Sequence, residues 1–293
     1  MDTSRFDALV DRIEVLYDEG RPRDAIDLLD AESPGLEPWA ADLAHIKACL
    51  LAVTGDPDAA LRVLQDASAA GAWWHPSILT DDDDLAALRE RPEFHQLVEV
   101  SKGRVTADPR PPLVLLPEGP PVGVVVALHG AGLTAAHSAR EWAGVLALDH
   151  ALACVESSQR MSPMYRTWPD RDHAVADIAR ALGQLPTELD GVPLIAAGFS
   201  AGGRVALDWA LTADPVDVAG VIAMAPALRE LPTTAAGSLS PASILIGADD
   251  GLAETVERAA DRLTGFGCTI DRLPGLGHGF PADFPDRLAE LLG

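Results

Sequence analysis

Lysine is nearly missing from this 293-residue chain: only Lys47 and Lys102 occur, and Lys+Arg total 22 against 45 Asp+Glu. The formal charge of -23 repels nucleic-acid phosphates and anionic lipid surfaces, so neither nucleic acid nor membrane is expected as a partner. The acidity reads either as a surface adapted to salt or as the composition of a GC-rich genome, in which arginine stands in for lysine. Cysteine is scarce too. Cys49, Cys154 and Cys268 are odd in number, scattered through apolar stretches and without a CxxC pair. Neither a disulfide framework nor a thiolate zinc site is therefore expected, and a reducing cytosol is. No apolar run approaches the ~20 residues that span a bilayer. The opening Met1-Asp2-Thr3-Ser4-Arg5 has no apolar signal-peptide core. A soluble, cytoplasmic protein is the expectation. What is present is 48% hydrophobic and 23% charged, enough for a packed core and too apolar for global disorder. The length suits two domains.

The two halves differ in texture. Residues 1–105 read as successive helices, with Ala8, Leu9, Ile13, Leu16 and Tyr17, then Leu43, Ile46, Leu50 and Leu51, at helical spacing. A loose repeat also appears: Gly20, Ala25 and Leu29 recur 35 residues on as Gly55, Ala60 and Leu64. Each glycine ends a helix and each alanine admits a close neighbour. This resembles the tetratricopeptide repeat, with Ala48 and Ala67 also in small-residue positions and Glu32 departing from the pattern; a generic pair of helical hairpins is the other reading. The run Asp81–Asp84 before Leu85 is read as a helix N-cap rather than a calcium loop, because no EF-hand spacing follows. After a linker at 101–112, residues 106–293 alternate continuous apolar strands (113–116, 122–128, 151–155, 194–197, 218–224, 244–246) with helical patterns (138–148, 172–185, 203–211, 252–263). Strands of that kind predict an α/β domain with a mostly parallel sheet and helices on both faces.

Chemistry concentrates where a strand runs into Gly198-Phe199-Ser200-Ala201-Gly202 and a helix follows. A nucleophile elbow turns so tightly that side chains at Gly198 and Gly202 would collide, and the turn lifts the Ser200 hydroxyl above the sheet. The serine needs a base later in the chain; seven of eight histidines precede it and only His278 follows. Between them, Gly247-Ala248-Asp249-Asp250 ends a strand and supplies two acids that spacing alone does not separate; either also suits a helix N-cap. Earlier, Leu128-His129-Gly130-Ala131-Gly132 makes a glycine-rich turn after a buried strand. Two amides must meet at one oxygen there, and Ala131 and Ala201 are the expected donors. His129 is read as holding that loop rather than as a catalytic group.

His-Gly-x-Gly, Gly-x-Ser-x-Gly, Gly-x-x-Asp and Gly-His, in that order over 111–293, resemble the α/β-hydrolase fold, in particular its small serine carboxylesterases and dienelactone-hydrolase-like enzymes. The resemblance selects Asp250 over Asp249 and implies a Ser200–His278–Asp250 triad. It also implies two-step hydrolysis of a small-molecule carboxylic ester, with no cofactor and no metal. Thioesterase, lysophospholipase and small-peptide hydrolase activities use the same triad, and an inert interaction protein is the rival from another class. Tyr165, Arg166 and Trp168, in the loop after the strand ending near Glu156, are candidate substrate contacts; packing of the loop is the plain reading, and for Arg166 solvation. The first half is expected either to roof the hydrolase, with Trp73 and Trp74 as contacts or else buried within the helices, or to bind a protein partner or a second copy.

Overall fold

The computed structural model describes residues 4–293, so most of the signal-peptide expectation, Met1-Asp2-Thr3, lies outside the described residues. The chain divides into two compact units. The first runs to Ala107 and takes in Arg160–Tyr165; the second is Asp108–Gln159 with Arg166–Gly293.

The first unit is helical: α1 (Ser4–Asp18), α2 (Pro22–Glu32), α3 (Ala40–Val53), α4 (Pro57–Ala69), α5 (Pro76–Thr80) and α6 (Pro92–Lys102). Proline opens α2, α4, α5 and α6, where its fixed φ suits the helix and its missing N–H would be unpaired anyway. Helices α1/α2 and α3/α4 form two hairpins, closed by Gly20 and Gly55 at positive φ, and Ala25 and Ala60 are fully buried where the partner helix approaches. Asp82 caps the 3-10 turn Asp83–Leu88 by accepting the Asp84 N–H at 3.0 Å, the role read from the acidic run. Trp73 and Trp74, open in the sequence to hydrolase contact or to burial within the helices, are buried core residues. Trp74 is wholly buried and donates Nε1–H to the Ala41 carbonyl at 2.9 Å, so its indole leaves no polar group unpaired. Trp73 carries the Arg160 guanidinium 5.1 Å from its ring. Residues 160–165 are tied in further: Met164 packs against the apolar cluster that contains Leu9, Leu36 and Trp39, Ser162 Oγ donates to Asp42 at 2.6 Å, and Met161 O accepts from His75 N at 2.6 Å.

The second unit is a seven-stranded sheet of order β1-β3-β2-β4-β5-β6-β7. Its elements are β1 (Leu113–Leu115), β2 (Gly123–Leu128), α7 (Ala135–Glu141), β3 (His150–Val155), α8 (Arg171–Leu182), β4 (Leu194–Phe199), α9 (Ala201–Thr212), β5 (Gly220–Met224), β6 (Ala242–Gly247), α10 (Ala253–Gly265), β7 (Thr269–Leu273) and α11 (Phe284–Leu292). Only β1 is antiparallel, and helices cover both faces. Every residue of β2, β3, β5 and β6 is buried, which is why these strands read as unbroken apolar runs. The register pairs Leu128 with Gly198 and Gly247 with Leu273, so the loops after β2, β4, β6 and β7 leave one edge of the sheet. That carboxyl edge is where open α/β sheets gather their chemistry. No helix among the described residues is long and apolar enough to cross a membrane.

Candidate active site

Ser200 stands between β4 and α9, as the N-cap of the helix, with φ 52° and ψ -117°, a conformation that side chains rarely adopt. The turn is held by Ser200 N–H donating to Met224 O at 2.9 Å and by Ser200 O accepting from Ala227 N at 3.0 Å. Glycine is obligatory on either side. A Cβ at Gly198 would lie 2.4 Å from the Gly202 carbonyl oxygen, and one at Gly202 only 2.2 Å from that of Leu128.

His278 arrives from the loop after β7. A carboxylate only accepts, so the 2.8 Å contact to Asp250 Oδ2 makes His278 Nδ1 the donor. Nε2 is then the acceptor for the Ser200 hydroxyl at 3.0 Å. Asp250 is buried, and its other oxygen accepts the Leu252 N–H at 2.7 Å, so one carboxylate orients the imidazole and starts the next turn. Asp249 is exposed and points its backbone, through N–H to Leu276 O at 3.0 Å, at the histidine loop. Of the two acids left open by spacing, only Asp250 meets His278. The imidazole lies against Phe199, with centroids 4.8 Å apart, and Phe199 continues into Phe280 and Trp142. That aromatic cluster limits the positions open to the ring.

The loop after β2 is fixed by three groups. His129 is fully buried and held neutral: burial drives its pKa down to about 4, against a partial rise from its bond to Gly130. Nδ1–H donates to Gly130 O at 2.7 Å, and Nε2 accepts Ser157 N–H at 3.1 Å. Trp168 donates Nε1–H to His129 O at 2.8 Å. Glu156, which no motif marks, accepts the Ala135 N–H at 2.7 Å and pairs with Arg166 Nε at 3.3 Å. Its signal was present as a charged residue directly after the apolar run Ala151–Val155 of β3. Arg166 O in turn accepts Gly132 N–H at 2.8 Å. The amides of Ala131, between these anchors, and of Ala201, at the N-terminus of α9, have no hydrogen-bond acceptor among the described residues. Both are free to face an oxygen anion.

The expected substrate contacts are placed otherwise. Arg166 is 2% exposed; its guanidinium pairs with Asp108 and Glu156 and donates to the Ser157 and Asp108 carbonyls. Burial lowers the Arg166 pKa, the Glu156 charge and the Asp108 bond opposing it. Burial raises that of Asp108, but Arg166 and Arg110 more than offset this and hold the carboxyl low. Trp168 is 1% exposed with its N–H committed. Both therefore position the loop, and neither has a group to offer substrate. Tyr165 belongs to the helical unit, where it is half-buried and its backbone carbonyl accepts from Met161 N at 2.8 Å.

Residues 119–247 match the family described as "Serine aminopeptidase, S33", and residues 5–108 match "A/B hydrolase-like, N-terminal domain". The chain is similar to both families and has the α/β-hydrolase fold. In general terms this hydrolase is a serine hydrolase. It is similar over 97% of its length, and over 96% of the other chain, to an uncharacterized protein from Bacillus cereus ATCC 10987, at 26% identity and TM-score 0.52. The hydrolase also shares its fold with esterase PE8, at 19% identity and TM-score 0.51, over 63% of this chain and all of that one. No curated protein matches it.

Proposed function

We propose that this hydrolase cleaves carboxylic esters through an acyl-enzyme on Ser200. The observation that carries the reading is the unbroken hydrogen-bond series from Ser200 Oγ through His278 to Asp250, at 3.0 and 2.8 Å. His278 Nε2 takes the hydroxyl proton as Ser200 Oγ attacks the ester carbonyl carbon. Asp250 stabilises the imidazolium without itself being protonated. The carbonyl oxygen becomes an anion facing the Ala131 and Ala201 amides. On collapse, the C–O bond to the alcohol breaks and His278 returns the proton to the leaving alkoxide. Water, deprotonated by the same imidazole, then releases the acid and restores the serine.

One observation favours a second reading: the Serine aminopeptidase match makes a small-peptide hydrolase the alternative. A panel of p-nitrophenyl esters of rising acyl length, run beside aminoacyl p-nitroanilides, separates them. Ester turnover well above anilide turnover supports the proposal; the reverse order replaces it with the peptidase. For the helical unit, the two hairpins with Ala25 and Ala60 buried at matching positions support the tetratricopeptide-like reading.

A further inference from the structure

Away from Ser200, three side chains of different chemistry meet inside the helical unit. His45 and Cys49 are one turn apart on α3 and so share a face. Asp82 reaches them from the cap of the Asp83–Leu88 turn. Their donor atoms lie within 4.8 Å of one another: Nε2 to Oδ2 is 3.2 Å, Sγ to Oδ2 is 3.4 Å and Sγ to Nε2 is 3.6 Å. An imidazolium bonded to a carboxylate closes to about 2.7–2.9 Å, and this pair has not. A tetrahedral ion with bonds of about 2.3 Å to sulfur and about 2.0–2.2 Å to nitrogen and oxygen separates its ligands by roughly 3.3–3.6 Å. The three atoms stand at that spacing.

The surroundings favour a cation. Asp82 Oδ1 is occupied by the Asp84 N–H at 3.0 Å, which turns Oδ2 toward the other two donors. Cys49 is buried and the other two are half-buried, so the cluster is shielded without being sealed. The Ile78 carbonyl oxygen, 3.2 Å from Nε2, is available for a fourth position, as is water.

We propose that His45, Cys49 and Asp82 form a transition-metal site, of the thiolate–imidazole–carboxylate class that takes Zn²⁺. Sulfur and imidazole select such an ion over calcium or magnesium. This runs against the expectation from the absent CxxC pair, because the ligands are assembled from a helix face and a distant cap. Loading involves no redox change: the Cys49 S–H bond breaks, its proton goes to solvent, and a sulfur–metal bond forms. The ion would staple α3 to the Asp83–Leu88 turn and stabilise the folded chain in proportion to its occupancy.

The test is titration of the full-length, chelator-stripped, reduced protein with Co²⁺, a spectroscopic stand-in for Zn²⁺. The expected result is one ion bound per chain, a thiolate-to-cobalt charge-transfer band, tetrahedral visible absorption and a raised Tm. Cys49→Ser should abolish the charge-transfer band with the circular dichroism unchanged, whereas Cys154→Ser and Cys268→Ser should keep it. Asp82→Asn, which preserves the cap through its remaining oxygen, should weaken binding about tenfold or more. His45→Gln should do the same. If Cys49→Ser fails to fold, the band's response to Asp82→Asn and His45→Gln decides. Absence of the band in the native chain, its persistence in Cys49→Ser, or undiminished cobalt affinity in both of those variants overturns the site.

Discussion

Replacing Gly202 by alanine adds a single methyl group where the backbone has no room for one. The new Cβ would sit 2.2 Å from Leu128 O and 2.5 Å from His129 O, both main-chain atoms that cannot rotate away. An ordinary contact needs more than about 3.2 Å, so either the start of α9 or the end of β2 must move by about 1 Å. Those are the segments that carry the Ala201 and Ala131 amides. A displacement of that size costs roughly 10²-fold in turnover, and overpacking costs about 1–3 kcal/mol in stability. The control is Gly265→Ala: it ends α10, meets nothing within 4 Å and has no positive φ. Ester turnover and thermal melts of both variants make the comparison. Gly202→Ala with near-native turnover would show that the strand-to-helix approach does not set the site, whatever Gly265→Ala does.

Further outcomes follow from individual contacts. Asp250→Asn should lower kcat roughly 10⁴-fold, since Asn offers His278 the wrong partner, while Asp249→Asn should stay near native; equal, mild losses in steady-state assays would reject Asp250. Burial raises the Asp42 carboxyl from 3.8 to about 6, with the Ser162 hydroxyl and His45 opposing, and its Oδ2 has no partner. The folded chain therefore keeps a proton that the unfolded chain loses, so this group's contribution to stability falls as pH rises toward 6. Chemical denaturation in chelator at pH 4.5 and 7 should show Asp42→Asn gaining roughly 2 kcal/mol on wild type across that range; an unchanging difference rejects the burial argument. Deleting residues 1–105 strips Met164 and Ser162 of the partners they have in the helical unit, so the remainder should aggregate on gel filtration. A soluble, equally stable fragment with the same ester preference would contradict that.

Legibility in the sequence tracked how local the physics was. The buried strands β2, β4, β5 and β6 and the glycines at 198 and 202 are dictated by neighbours in the chain, and they read directly. Strand β7 did not, because Thr269, Asp271 and Arg272 face solvent and break its apolar run. Arg166 reads as solvated until the fold brings it to Asp108, 58 residues earlier, and to Glu156. The excursion of residues 160–165 into the helical unit has no local signal, since its anchors are Asp42, Trp73 and His75. The His45–Cys49–Asp82 cluster was invisible for the same reason: an i, i+4 pair on a helix is unremarkable until the cap arrives beside it. Only the choice between Asp249 and Asp250 turned on a single residue, and burial of one beside His278 distinguishes them.

The most direct measurement of the central claim is covalent trapping with a fluorophosphonate, located by peptide mass spectrometry. It should be read beside p-nitrophenyl ester turnover of the native protein and Ser200→Ala. The account predicts stoichiometric phosphonylation of Ser200 in the native protein, none in Ser200→Ala, and a fall in turnover of several orders of magnitude with the fold intact. Labelling at another residue, or a Ser200→Ala variant that keeps a tenth of native turnover, would contradict it.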